Sequence, residues 1–286
     1  MTGAEYWFDS PEGLRLFSRV YAGPSAAVPV VLCLHGLTRN SRDFEDLAPH
    51  LAAHYRVIVP DVRGRGLSAR DPNFNNYQIP LYLNDLLRLF AGLGVERASI
   101  IGTSMGGLMA MVLASIQPRA VAGIVLNDVG PEVDPAGLER IRSYVGKSPP
   151  VYSWPEAVAN VRAIYGAAWP GLSDEQWERI TRRSYRANAQ GLPEVDADPL
   201  IAEALRDTKT AAPNLWPLWS ALARVPILAI RGAQSDILSA ATLARMQREK
   251  PDLEVLTVAN RGHVPLLDEP ECVAAIDQFL AAAGGG

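Results

Sequence analysis

The segment Ser-Ile-Ile-Gly-Thr-Ser-Met-Gly-Gly at Ser99–Gly107 joins a short β-branched run to an apolar helical stretch. At its centre stands Gly102-Thr103-Ser104-Met105-Gly106, a Gly-x-Ser-x-Gly pattern. A strand that turns into a helix within so few residues must pass its backbone closely by itself, which favours neighbours without side chains. The turn lifts Ser104 Oγ clear of the sheet, and the helix behind it begins with unpaired N–H groups facing the same spot. A hydroxyl held there is badly placed for packing and well placed for attack. A glycine-rich turn that merely packs tightly is the competing reading. A histidine and an acid at suitable later positions decide between them.

The rest of the chain supplies the setting. Tyr6–Phe8 and Leu14–Tyr21 read as strands joined at Pro11-Glu12-Gly13, a turn-forming cluster. Val28–Leu34 and Tyr55–Val59 are continuous apolar runs, as expected of strands buried on both faces. A helix from about Asp43 to Ala53 lies between them, and Tyr77–Leu93 carries apolar residues at helical spacing. The Ser104 strand and its helix follow, then the strand Val121–Leu126, which ends at Asn127-Asp128. Strand runs then stop until Pro226–Ile230 and Leu253–Val258, and a helix near Pro270–Ala282 precedes a tail at Gly284–Gly286 expected to fray. Alternation of this kind predicts a mostly parallel sheet with helices on both faces. The block Pro131–Ala223 holds five tryptophans, Trp154, Trp169, Trp177, Trp216 and Trp219, and capping signals at Ser153 and Ser173. It reads as a helical cap (131–223) inserted into a core formed by 1–130 and 224–286.

Neutral serine is a weak nucleophile and needs a base that is itself oriented by an acid. Of the four histidines, His50 and His54 read as surface residues, and the ring of His35, beside Gly36, as a brace for that loop. His263, in the loop after the last strand, is the expected base, because parallel sheets place their sites at the carboxyl ends of their strands. Two aspartates compete for the acid. Asp236, after the strand Ile227–Ile230, is preferred over Asp128, and either could instead cap a loop. The backbone N–H groups of Leu37 and Met105 are the expected oxyanion donors.

Composition excludes several other classes. The net charge of −4 and the absence of a basic cluster argue against nucleic acid. Cys33 and Cys272 are far apart, with no metal-ligand spacing, and Cys33 reads as a buried free thiol. Gly64-Arg65-Gly66 lacks the spacing of a phosphate loop. Neither a signal peptide nor a membrane span is read, so a soluble, cytoplasmic protein is expected.

Taken together, His35-Gly36, Asp61–Ser68, Gly102–Gly107, Gly232…Asp236 and Gly262-His263 resemble the α/β-hydrolase superfamily, in its small lidded serine group of esterases, lactonases and carbon–carbon bond hydrolases. The resemblance implies an eight-stranded, mostly parallel sheet, a cap after the sixth strand, and no cofactor or metal. Serine at the elbow speaks against the branches that attack with a carboxylate. The expected function is hydrolysis of a small or medium carboxylic ester or lactone through an acyl-enzyme, with Trp154, Trp177 and Trp219 offered as pocket residues. Carbon–carbon hydrolysis, acyl transfer and a triad-bearing ligand receptor remain alternatives. The expected partner is the small-molecule substrate, with neither nucleic acid nor membrane, and a homodimer is left open.

Overall fold

The computed structural model describes residues 3–147, 151–207 and 214–283; the tail Gly284–Gly286 lies outside them. The chain opens with β1 (Ala4–Asp9), β2 (Arg15–Tyr21) and β3 (Val30–Leu34), then α1 (Leu47–Leu51), β4 (Arg56–Asp61) and α2 (Ile79–Leu93). Next come β5 (Ala98–Thr103), α3 (Met105–Ile116) and β6 (Val121–Asn127). A block of α4 (Pro135–Tyr144), α5 (Trp154–Tyr165), α6 (Asp174–Ser184), β7 (Tyr185–Ala187), β8 (Pro193–Val195), α7 (Leu200–Asp207) and α8 (Trp216–Ala221) follows. The chain then closes with β9 (Ile227–Gly232), α9 (Ala240–Glu249), β10 (Glu254–Val258) and α10 (Pro270–Ala283). The helix expected over Asp43–Ala53 is split, with a 3-10 turn at Ser41–Phe44 capped by the Asn40 side chain and α1 starting afresh at Leu47.

Eight strands form one sheet in the order β1-β2-β4-β3-β5-β6-β9-β10. The pairs β1–β2 and β2–β4 are antiparallel, and every pair from β4 to β10 is parallel. Successive residues of the central strands face opposite sides, as strand geometry requires. Leu32, Ile100 and Ile124 pack into the layer that holds α2 and α3, whereas Cys33, Ile101 and Val125 pack into the layer that holds α1 and α10. Both faces are therefore apolar, which is why these strands read as unbroken hydrophobic runs.

The block between β6 and β9 has its own small core of Ala157, Val161, Trp169, Trp177, Ile180 and Tyr185. Its last helix is different. Trp216 and Trp219 of α8, with Leu222, pack into the larger layer beside α3, so α8 belongs with the sheet and not with the cap cluster.

The loop after β4 is fixed by a buried cation. Arg63, 0% exposed, donates to Asp85 of α2 (2.7 and 2.8 Å), to Asp71 (3.0 Å) and to Glu12 of the β1–β2 turn (2.9 Å). Burial pushes the Asp85 carboxyl above its ordinary pKa, and the Arg63 guanidinium works against that rise. Removing the cation strands the buried Asp71 and Asp85 carboxylates in low dielectric, a loss of about 3–5 kcal/mol. Arg63→Met is therefore expected to lower the free energy of urea unfolding by about that amount. An unchanged unfolding midpoint would show that the cluster contributes nothing.

Candidate active site

Ser104 sits between β5 and α3 at φ 51°, a left-handed conformation held by its surroundings. Its N–H donates to Asn127 O (3.0 Å), and its carbonyl accepts from Gly107 and Leu108 (2.9 and 3.2 Å). The glycines around it have no room for side chains. A Cβ on Gly106 would stand 2.2 Å from Leu34 O, and one on Gly102 would stand 2.6 Å from the Gly106 backbone.

His263, 8% exposed, reaches Ser104 from the loop after β10, with Nε2 2.9 Å from Ser104 Oγ. Its Nδ1 lies 2.8 Å from Asp128 Oδ2. Asp128 is fully buried just past the end of β6, and it also accepts from Gly232 N–H (2.8 Å) and Ser235 Oγ–H (2.5 Å). With the carboxylate accepting from Nδ1–H, the imidazole presents a lone pair at Nε2 to the serine hydroxyl.

The expected acid, Asp236, is elsewhere. It lies four residues past the end of β9, where Arg140 of α4 takes both its oxygens, one of them at 2.9 Å. Burial works against the Asp236 carboxylate, but Arg140 outweighs it and holds the pKa below the ordinary value. No hydrogen bond joins Asp236 to His263 among the described residues, and Asp128 holds the place expected for it.

The other histidines divide as their positions suggest. His50, exposed, bonds Asp277 at 2.8 Å, and His54 is exposed. His35 is fully buried, and burial brings its pKa down to about 4. Its Nε2 accepts from Val62 N–H (3.0 Å), so Nδ1 carries the proton and donates to Gly36 O (2.8 Å). The Gly36 carbonyl also accepts from Arg39 N–H (3.2 Å). In a trans peptide the C=O and N–H point opposite ways, so this grip sets the direction of Leu37 N–H. The far side of Leu37 is held as well, because Arg65 Nε donates to Leu37 O (2.8 Å).

Two chambers meet at Ser104. The first, about 790 Å³ with its mouth, is lined by Ser104 and His263 together with Arg39, Tyr144, Tyr165 and Trp169. The second, about 990 Å³, contains Ser104, Leu37 and Met105 and is walled mostly by apolar side chains such as Leu108, Leu138, Ile201 and Ile237, with Gln78, Tyr77 and Tyr82 its other polar members.

None of the three tryptophans expected to line the pocket borders either chamber. Trp177 is in the cap core, Trp219 is buried beside α3, and Trp154 lies under the Arg182 guanidinium, 3.8 Å from its ring centroid. Trp169 borders the first chamber instead. It stacks on Tyr165 (centroids 4.7 Å apart), and its Nε1–H donates to Val264 O (2.6 Å), next to His263. Burial of its own core claimed most of the indole surface in the cap.

A mostly parallel sheet that presents serine, histidine and aspartate at the carboxyl ends of β5, β10 and β6 defines a class of hydrolytic fold. The chain belongs to the alpha/beta hydrolase family, whose model matches residues 31–276. It is 35% identical over 282 residues to a 3-hydroxybutyrate-oligomer hydrolase of Cupriavidus necator, covering 96% of each chain. It is 28% identical over 255 residues to a 2-(acetamidomethylene)succinate hydrolase of Mesorhizobium japonicum, covering 89% of this chain and 88% of that one. A crystal structure of an alpha/beta hydrolase from Novosphingobium aromaticivorans superposes with a TM-score of 0.92 at 45% identity, covering 98% of each chain. Family and relatives alike mark the chain as a hydrolase. Among the described residues, no helix is long and apolar enough to cross a membrane.

Proposed function

We propose that the chain is a serine esterase that cleaves short esters of hydroxy acids through an acyl-enzyme. The observation that carries this reading is the hydrogen-bonded chain Ser104–His263–Asp128, which opens on a partly apolar chamber. Ser104 Oγ attacks the ester carbonyl as His263 Nε2 takes its proton, and the Asp128 carboxylate steadies the imidazolium. The developing oxyanion lies against the N–H groups of Leu37 and Met105, the one aimed by the clamped Gly36–Leu37 peptide and the other at the start of α3. His263 then protonates the departing alcohol, and water, activated by the same ring, releases the acid. The hydroxy-acid character of the substrate is supported by the Cupriavidus necator relative, named for 3-hydroxybutyrate oligomers.

A fluorophosphonate probe should label Ser104, and p-nitrophenyl butyrate should turn over many times per chain. Labelling or binding without repeated turnover would make the protein a receptor and end the esterase reading.

A further inference from the structure

The first chamber carries a polar wall that the triad does not use. Arg39 is part of it, three residues after Gly36 and on the same loop as Leu37. A Cβ on Gly36 would be 3.5 Å from Arg39 Cγ and 3.9 Å from Ser104 Cβ, so both side-chain stems flank the space over Gly36. Asp43 takes one edge of the guanidinium, with Nε donating at 2.9 Å, and Ser184 Oγ accepts from Nη1. One N–H on each η nitrogen has no partner among the described residues.

Tyr144 and Tyr165 complete the wall. Their rings meet edge to face with centroids 5.8 Å apart, and both border the chamber with Arg39. Arg183 also lines it, 7% exposed, with its Nε lacking any hydrogen bond. The lining thus holds two guanidiniums, two phenols and one carboxylate, Asp43, with Arg183 paired outside it to Asp46 (2.7 Å) and Glu45 (3.6 Å), so that Arg39 is the cation left to face the chamber. The second chamber has no charged lining residue.

Chemistry gives the two chambers different halves of the ester. The base that strips Ser104 must hand its proton to the leaving oxygen, so the leaving group lies on the side of His263. His263 borders the first chamber and not the second. The acyl group therefore occupies the apolar chamber, and the alcohol half faces Arg39.

We infer that Arg39, with Tyr144 and Tyr165 beside it, binds a free carboxylate on the alcohol half of the substrate. This inference rests on the esterase reading above. An ester whose alcohol half bears a carboxylate is an ester of a hydroxy acid. In a linear oligoester, the bond presented to Ser104 is then the one nearest the free carboxyl end. Attack by Ser104 Oγ breaks the bond between the acyl carbon and the terminal unit's oxygen. That oxygen receives the proton from His263, one hydroxy acid leaves, and water frees the shortened chain.

The test compares the linear dimer and trimer of 3-hydroxybutyrate with their methyl esters, using the purified full chain. Wild type should prefer the free acids by about 10–100-fold in kcat/KM, as expected for a charge-assisted bidentate contact. The first product from the trimer should be monomer released from the carboxyl end. In Arg39→Gln the ratio of free acid to methyl ester should fall towards one, chiefly through KM, and Arg39→Lys should recover part of it. A wild type that hydrolyses acid and methyl ester equally, or that cuts the trimer from its hydroxyl end, overturns the inference while leaving the esterase reading intact. A ratio unchanged in Arg39→Gln does the same. Failure of wild type to turn over any of these esters or p-nitrophenyl butyrate overturns both.

Discussion

Ser104→Ala and His263→Ala are each expected to lower kcat by about 10⁴–10⁶ and to keep the cooperative thermal transition of the wild type. The two side chains act as one device. Ser104 Oγ–H is 2.9 Å from His263 Nε2, so losing either leaves a hydroxyl that no base deprotonates or a base with nothing to deprotonate. The double variant should for that reason be little slower than either single one. What remains comes from the oxyanion donors and from binding. Steady-state turnover of p-nitrophenyl butyrate with a circular-dichroism melt measures both quantities. A purified, folded Ser104→Ala protein that keeps its turnover would remove serine from the mechanism.

The second large effect separates two aspartates. Asp128→Asn is expected to fold and to lose about 10⁴ in kcat. An amide in place of the carboxylate can donate to His263 Nδ1, which moves the ring proton to Nε2 and takes away the lone pair facing Ser104. It also leaves two further donors, Gly232 N–H and Ser235 Oγ–H, with a poorer acceptor. Asp236→Asn weakens an ion pair with Arg140 that is about one-third exposed on both sides, and such pairs contribute about 0–1 kcal/mol. That variant should keep its kcat to within a few fold. Purified Asp128→Asn and Asp236→Asn assayed side by side decide the matter, and an active Asp128→Asn beside a dead but folded Asp236→Asn would reverse the assignment.

The two aspartates also mark where sequence reasoning stops. Sheet, layers and elbow were legible because each leaves a local trace. Strands buried on both faces read as apolar runs, and a forced turn reads as Gly102 and Gly106 around Ser104. The approach of His263 to Ser104 was legible because the rival histidines had other occupations by position. Asp128 and Asp236 both follow strand ends, and what distinguishes them is a contact with Arg140, 96 residues away. No spacing rule sees such a pairing. The tryptophans failed for a related reason, since an indole can fill a core or face a site with the same helical spacing. Arg39 did leave a local trace, standing three residues beyond Gly36 in the loop that carries the expected oxyanion amide.

The stitching of the cap to the His263 loop has a consequence for how the site responds to its occupant. Trp169 Nε1–H holds Val264 O at 2.6 Å, and Ala168 O accepts Gly262 N–H at 2.7 Å, one residue on either side of His263. A Cβ on Gly262 would stand 2.9 Å from Ala168 Cα, so the two backbones are pressed together with no slack between them. The segment after α5 thus holds the backbone on both sides of His263. Trp169 and Tyr165 line the same chamber as Ser104, so a ligand filling that chamber would press on the residues that fix the loop carrying His263, and its fit would bear on the placing of the imidazole.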